Sequence, residues 1–450
     1  MLNAIVLAAG KGTRMHSNKA KTMHKILDKP ILEHVYDTLD KLQCKNIVCV
    51  VGHGREEIED YFSDRLTYAI QQPQLGTAHA VMQAISLKEK EGKTLIVNGD
   101  CPLIQKETYQ KMIEMAEQYD LVLMTTKLDN PASYGRIVRN NDSVEAIVEY
   151  KDADEQTRAI KEVNVGIYCI DNQLLWKYIG EIDNHNAQNE YYITDIVKVF
   201  KKHGLKVGAC CFDDFNQLQG INSRVELLNA SKWLQKKTNE YWMNNGVTII
   251  DPDSTYISTD AVLSIDTIIY PNVRIEGKTV IGQNNVIEEA SCIINSKIGD
   301  NNHIIASRIT DSEVGSNVTV GPNAHLRNNC KIGDNCRIGN YVEMKNTIFG
   351  KGSKCAHLTY VGDSTVGQNC NFGCGVVTVN YDGKNKHRCT IGNHVFVGSN
   401  VNLIAPVTIG DYAVLAAGST VTDDVEEKDM AIARCRQQVK KGYGFKYLNK

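Results

Sequence analysis

A glycine-rich run, Leu7-Ala8-Ala9-Gly10-Lys11-Gly12-Thr13-Arg14-Met15, directly follows the first apolar stretch. Its composition suits a turn that wraps phosphate groups with backbone N–H donors. It lacks the closing Gly-Lys-Ser/Thr of a P-loop, and Met15 stands where a dinucleotide fingerprint has its third glycine. Arg14 and Lys21 add two cations nearby, as transfer of a nucleotidyl group from a triphosphate requires. Asp100, in Asn98-Gly99-Asp100, closes a strand at the sheet edge where open α/β folds bind ligands. One such carboxylate suffices for Mg²⁺, which takes its remaining oxygens from water and substrate phosphates. An aspartate ahead of Pro102 equally suits a turn or a helix cap. Gln74-Leu75-Gly76-Thr77 and Tyr134-Gly135-Arg136-Ile137 are short loops in the same half. Glu149 and Asn164 have the chemistry to bond sugar hydroxyls, although polar residues on a strand surface read the same way.

In the second half the candidate general base is His357, because imidazole titrates near neutral pH. Tyr360, Asn371 and a polar run containing Asn380, Tyr381 and Lys386 have the chemistry to form a cleft around it, and Arg327 and Lys345 are cations suited to a phosphorylated substrate. The 14 cysteines include no C-x-x-C pair. Cys330, Cys336, Cys355, Cys370 and Cys374 are read as small apolar residues rather than metal ligands.

Elements that position these groups are visible in the apolar pattern. Ala4–Ala9, Ile47–Val51, Thr94–Val97 and Leu121–Thr125 read as buried strands alternating with amphipathic stretches, which predicts an α/β domain with a mostly parallel sheet. Pro30 suits a first helical turn, and Ile31, Leu32, Val35, Leu39 and Leu42 follow at helical spacing. Residues 223–246 begin with a capping-box pair, Ser223 and Glu226, and end at Gly246, predicting one helix about 33 Å long that links two domains. Domain limits of 1–222, 223–246 and 247–450 follow, the last including a C-terminal tail.

After Asp251 aliphatic residues recur every six positions: Ile269, Ile275, Ile281, Ile287, Ile293; then Val314, Val320, Leu326, Ile332, Ile338, Met344; then Ile391, Val397, Leu403, Ile409, Leu415, Val421. Six fits neither a helix nor a hairpin; it is the period of a parallel β-helix, three units to a coil. Gly-polar-Asn triplets at Gly282, Gly299, Gly315, Gly333, Gly367 and Gly398 mark corners that need left-handed backbone. Between Thr378 and Ile391 the register breaks, and Asn380 to Arg388 are too polar to line a prism, so they loop outward.

A length of 450 residues with 42% hydrophobic and 23% charged residues predicts two globular domains. A net charge of −3 from intermixed signs argues against a nucleic-acid partner, and no apolar run has the length of a signal peptide or membrane span, which predicts a cytoplasmic protein.

Taken together, the order of motifs resembles the bacterial family of bifunctional N-acetylglucosamine-1-phosphate uridylyltransferase / glucosamine-1-phosphate N-acetyltransferase along essentially the whole chain. The likeness rests on Leu7 to Met15, Lys21, Gln74 to Thr77, Gly99-Asp100-x-Pro102-Leu103, Tyr134 to Ile137, Glu149, Asn164 and Gly220-Ile221-Asn222. In the second half it rests on Glu343-Met344-Lys345, His357 to Tyr360, Asn380 to Gly383, Val395 to Ser399 and Ala416-Ala417-Gly418. The family's usual Leu-Pro-Lys is Lys19-Ala20-Lys21 here.

The resemblance implies an α/β nucleotidyltransferase domain with a Rossmann-like mixed sheet, a linker helix, and a left-handed β-helix that assembles as a homotrimer. It implies acetyl transfer from acetyl-CoA to glucosamine-1-phosphate, then uridylyl transfer from UTP to N-acetylglucosamine-1-phosphate with release of pyrophosphate, a supply of UDP-N-acetylglucosamine for peptidoglycan and other cell-wall polymers. By the same likeness Mg²⁺ sits on Asp100 and Asn222, and Arg14 and Lys21 steady the phosphates. Leu7, Ala8, Ala9, Gly10, Lys21, Gln71, Gly76 and Thr77 hold the nucleotide, and Gly135, Glu149, Asn164 and Asn222 the sugar. His357 takes the amine proton; Arg327, Lys345, Tyr360, Asn371 and Lys386 bind the sugar phosphate; Cys374, Asn380, Tyr381, Ser399, Ala417 and Arg434 line the acetyl-CoA site between subunits. The main alternative is a sugar-nucleotide pyrophosphorylase whose β-helix only assembles subunits or senses an effector; a non-enzymatic β-helix scaffold is a second.

Overall fold

The computed structural model describes residues 1–141 and 143–448. The chain divides into two compact units, Met1–Leu234 and Gln235–Lys450, and the division falls inside the long helix Arg224–Asn244.

In the first unit, strand Leu2–Ala8 places Ala4, Val6 and Ala8 in one apolar cluster and Ile5 in another, so both faces of the sheet are covered. The main path of the sheet runs Val207–Cys211, Leu121–Lys127, Glu162–Asp171, Lys93–Asn98, Leu2–Ala8, Asn46–Val51, Thr67–Ile70. Its pairings are parallel except those of Glu162–Asp171, which runs antiparallel to both neighbours. The mostly parallel reading of the sequence therefore becomes a mixed sheet. This reversed strand is reached through a hairpin, Arg136–Asn140 with Ser143–Val148, and its register slips between Asn164 and Tyr168 around Gly166 at φ 82°. Helix Ile31–Lys41 buries Ile31, Leu32, Val35 and Leu39, and Pro30 precedes its first turn as the cap residue.

The long helix starts as its capping residues dictate, with one change. Ser223 Oγ accepts the Glu226 N–H at 3.2 Å, but Glu226 Oε2 accepts from the N–H of Asn222, at 2.7 Å, rather than from that of Ser223. Ala230 and Leu234 pack on Ile26, Ile31, Leu103 and Ile221 in the first unit. Gln235 and Asn239 belong to the second unit, where their side-chain amides donate to the Thr255 carbonyl at 2.8 and 3.0 Å. Gly246 ends the run at φ 89°, with the Val247 N–H closing on the Trp242 carbonyl.

The second unit is a left-handed parallel β-helix. Short strands stack in three parallel ladders, and every aliphatic residue of the three six-residue series is buried in one continuous core. The sequence series breaks after Ile293 because some sides are five residues long: Ile298, Ile304 and Ile309 carry the same core forward, Ile293 pairing with Ile309. At the six Gly-polar-Asn corners the left-handed residue is the asparagine, with φ between 54° and 58° at Asn284, Asn301, Asn317, Asn335, Asn369 and Asn400. The glycine is required for a different reason. A Cβ at Gly333 would lie 2.6 Å from the Lys351 nitrogen, and one at Gly398 2.5 Å from that of Ala417, both on the next coil. The polar run leaves the prism as predicted, as a small hairpin closed by pairing of Tyr381 with Lys386. Cys330, Cys336, Cys355 and Cys370 are buried in the core as small apolar residues, whereas Cys374 is exposed at a corner.

Candidate active sites

The first site gathers at the ends of the strands Leu2–Ala8 and Lys93–Asn98. These two strands pair in parallel and continue into their loops through the Gly99 N–H on the Leu7 carbonyl at 2.9 Å. The glycine-rich loop turns at Gly12, φ 59°, into a tight turn over Thr13–Met15 that buries Met15 and leaves Arg14 exposed. A Cβ at Gly12 would meet the Lys21 Cβ at 2.7 Å, so the glycine lets the segment carrying Lys21 lie against the loop.

Lys21 is the centre of this site. Its ammonium bonds the Asp100 carboxylate and, at 3.1 Å, Asn222 Oδ1. Asn222 is brought there by the Ile221 N–H on the Asp100 carbonyl at 2.9 Å and by the Glu226 carboxylate on its own N–H. The replacement of the family's proline by Ala20 leaves this arrangement possible, since Ala20 holds φ −54°, a value proline also adopts. Arg14, Asp100, Tyr134, Val165, Gly220 and Asn222 line a cavity of about 580 Å³.

Two further cavities lie in the first unit. Gln71 and Lys11 share the first, of about 490 Å³, with Gly52 and Gln74. The Gln71 amide donates to the Gly76 carbonyl at 2.9 Å, and Thr77 Oγ1 accepts from the Ile193 N–H at 3.0 Å, so Gly76 and Thr77 brace this loop and do not line the cavity. Gly76, at φ 117°, approaches Tyr191 so closely that a Cβ would lie 2.5 Å from the Tyr191 carbonyl oxygen. Glu149 lines the second, of about 360 Å³, with Asp152, Tyr192 and Thr194. Gly135, Glu149 and Asn164 come together: the Asn164 N–H donates to the Gly135 carbonyl at 2.9 Å, and a Cβ on Gly135 would lie 3.2 Å from Glu149 Oε1. Burial raises the Glu149 carboxyl above its ordinary range against a Thr194 hydrogen bond that lowers it. Arg136, the first residue of the hairpin strand, spends its guanidinium on the Ala132 and Tyr134 carbonyls and braces the loop before it.

The second site lies on the outside of the β-helix. His357 is exposed, one coil above its register partner Asn340, in a strand that turns a prism corner with Leu358 at φ 30°. Successive coils stack on that corner through the Gly375 N–H on the Leu358 carbonyl, the Asn400 N–H on the Cys374 carbonyl and the Gly418 N–H on the Ser399 carbonyl, at 3.0, 2.7 and 2.8 Å. His357, Cys374, Ser399 and Ala417 thus form one exposed row, and a Cβ at Gly418 would lie 3.8 Å from Arg434 Cδ. On the adjoining face Arg327 is in register with Lys345, and Glu343 with Tyr360. Arg327 is paired with Glu343 at 2.7 Å and Lys345 with Asp363 at 3.6 Å. Asn371 and Lys386 are exposed, whereas Asn380 is buried and donates to Asp363.

Sequence reasoning missed Glu343, Asp363, Glu226 and Arg224 as site residues. Arg224 Nε reaches the Met15 carbonyl at 3.3 Å, and Arg224 Nη1 lies 3.3 Å from His24 Nδ1, tying the helix start to the loops that carry Arg14 and Lys21. The capping box pointed to Glu226; nothing local pointed to Arg224.

A nucleotidyl transferase family model matches residues 3–248, and a bacterial transferase hexapeptide (six repeats) model matches 311–346 and 388–423. The bifunctional protein GlmU of Geobacillus sp. strain WCH70 is 50% identical over 98% of this chain and 97% of its own length. Its counterpart in Listeria monocytogenes EGD-e is 45% identical over 99% and 98% of the two chains, and that of Exiguobacterium sp. strain AT1b 47% over 98% and 98%. With likeness along both folds and nearly the whole length, the chain belongs to the family of bifunctional GlmU proteins, a nucleotidyltransferase in its first half and a hexapeptide-repeat acetyltransferase in its second.

Proposed function

We propose that the second half moves the acetyl group of acetyl-CoA to the amine of glucosamine-1-phosphate, and that the first half joins the product to the uridylyl group of UTP. The observation that carries the reading is the meeting of Lys21, Asp100 and Asn222 beneath the glycine-rich loop. Asp100 and Asn222 turn hard oxygens toward one cation, Lys21, which is the donor chemistry that Mg²⁺ takes. A bound Mg²⁺ would supply charge neutralisation on the triphosphate. Lys21, released to the phosphates, and Arg14 would steady the charge that builds as a phosphate oxygen of N-acetylglucosamine-1-phosphate attacks the α-phosphorus and pyrophosphate leaves. Leu7, Ala8, Ala9, Gly10 and Gln71 shape the nucleotide side, with Gly76 and Thr77 behind Gln71; Gly135, Glu149, Asn164 and Asn222 face the sugar.

In the β-helix, His357 accepts a proton from the amine as its nitrogen attacks the thioester carbonyl, and coenzyme A leaves as the thiol. Arg327, Lys345, Tyr360, Asn371 and Lys386 hold the sugar phosphate. The exposed row Cys374, Ser399, Ala417, with Arg434, suits an extended acyl carrier lying along its corner, and the hairpin residues Asn380 and Tyr381 complete that site from the corner of Asp363. A homotrimer built on the β-helices and a cytoplasmic setting complete the proposal; among the described residues no helix is long and apolar enough to cross a membrane. Incubating the protein with Mg²⁺, UTP, acetyl-CoA and glucosamine-1-phosphate yields UDP-N-acetylglucosamine, pyrophosphate and free coenzyme A. Leaving out UTP stops the sequence at N-acetylglucosamine-1-phosphate; any uridylylated product formed without acetyl-CoA would sink the stated order.

A further inference from the structure

One carboxylate on the β-helix ties together groups that the proposed acetyl transfer uses separately. Asp363 is 7% exposed and occupies a prism corner at φ 46°, where the coil below has Asn346 at φ 48°. Its Oδ1 accepts from Asn346 Nδ2 at 2.6 Å, and its Oδ2 accepts from Asn380 Nδ2 and lies 3.6 Å from Lys345 Nζ. Its backbone does the same work: its N–H donates to the Lys345 carbonyl at 2.9 Å and its carbonyl accepts the Cys389 N–H at 3.2 Å. Asp363 therefore lies directly under the base of the extruded hairpin, of which Asn380 is the first residue and Cys389 the first strand residue beyond. An asparagine here would keep the corner, as it does at Asn346 one coil below, but would bring no charge to Lys345.

We propose that Asp363 is a positioning residue for acetyl transfer: its carboxylate fixes the Lys345 ammonium and the Asn380 amide in one arrangement, so that the sugar-phosphate cation and the base of the hairpin are set together. The proposal rests on the reading of Lys345 and Asn380 as substrate and acetyl-CoA ligands. Burial would raise the carboxyl, but the amides of Asn346 and Asn380 and the charges of Lys345 and Lys386 outweigh it and hold the group below its ordinary range, so it is the anion that Lys345 meets at neutral pH. A charge-assisted contact of this kind holds a long, flexible side chain in one direction, and its loss frees the ammonium to sample several.

The test is steady-state acetyl transfer by the full chain carrying Asp363→Asn. The KM for glucosamine-1-phosphate and the KM for acetyl-CoA both rise, each about tenfold, while the melting temperature and uridylyl transfer stay at parental values. Lys345→Ala raises only the first KM and Asn380→Ala only the second, and adding Asp363→Asn to Lys345→Ala raises the sugar-phosphate KM no further. Both KM values unchanged in Asp363→Asn, with Lys345→Ala and Asn380→Ala effective, would overturn the positioning role and leave the ligand reading intact. Both ligand variants silent while Asp363→Asn falls in kcat alone would overturn the ligand reading and this inference with it. Should Asp363→Asn melt early, Asp363→Gly, which the positive φ favours, carries the same comparison.

Discussion

The two halves of this chain solve the placement of reactive groups in opposite ways. In the nucleotidyltransferase unit, Arg14 and Lys21, Asp100, and Asn222 come from three distant stretches of chain that are tied by long-range bonds such as Lys21 to Asn222 and Arg224 to Met15. In the β-helix, Arg327 and Lys345, and the row His357, Cys374, Ser399, Ala417, each add one member per coil, so the ladder that makes the fold also sets the spacing of the site. A site assembled from loops can shift one member at a time, whereas one built on a ladder moves only with its coils.

The sharpest way to break this contrast is to disable each half in turn. Asp100→Ala lowers uridylyl transfer roughly 1,000-fold with acetyl transfer retained, and His357→Ala lowers acetyl transfer roughly 100-fold or more with uridylyl transfer retained. Separate assays of UTP consumption and coenzyme A release read both; joint loss in either folded variant would show that the halves are not independent sites. Next in size is packing. Gly339→Val puts a Cβ only 2.0 Å from the Ala356 carbonyl oxygen on the next coil, and destabilises the second unit by about 3 kcal/mol or more. Gly180→Ala, in the first unit with nothing among the described residues within 4 Å of the new Cβ, changes stability by roughly 0.5 kcal/mol or less; chemical denaturation distinguishes them.

A smaller effect tests the long-range bonds of the loop-built site. Arg224→Ala frees the loops bearing Arg14 and Lys21 and lowers kcat/KM of uridylyl transfer about 10- to 100-fold, with acetyl transfer unaffected. A pH effect of similar size is confined to the first unit. Burial, ahead of the nearby Lys29 charge, lowers the His34 imidazole to about 4, and its Nε2–H donates to the Ile26 carbonyl at 3.1 Å. With the folded value below the unfolded one, the unfolded chain takes up the proton first as pH falls through 6.5. This group's contribution to stability therefore declines between pH 6.5 and about 4. By pH 5 the loss is roughly 2 kcal/mol. Melting of His34→Gln at pH 7 and 5 should show a smaller drop than the parent, and an equal drop would remove the assignment.

Much of this was legible before any coordinates. The six-residue series predicted the prism and its core residues, and the polar run from Asn380 predicted an outward loop, which the structure closes as a hairpin. The gap between Ile293 and Val314 hid three core positions because five-residue sides satisfy the same ladder and destroy the period. The corner triplets were read for their glycines, yet it is asparagine that takes the left-handed angle while glycine admits the neighbouring coil. Asp363 escaped notice because its partners Lys345 and Asn380 are distant in sequence and adjacent only once the coils stack. Arg224 bonds a backbone carbonyl 209 residues away, and a bond to backbone leaves no mark on the residue type at its far end. The glycine-rich loop, Lys21 and Asp100 stood out as candidates because their chemistry is written in residue type, and the structure brings Lys21 to Asp100.

The hairpin between Val379 and Cys389 replaces with nine residues what the coil below manages with Asp363 alone, yet Val379 still pairs with Ile404 and Cys389 with Ser364. An excursion at a corner disturbs no register, and closing a loop grows costlier only slowly as it lengthens. A stack of this kind can therefore accept foreign segments at its edges much as a bookcase accepts new shelves, which makes the corners, rather than the faces, the places to graft a new specificity.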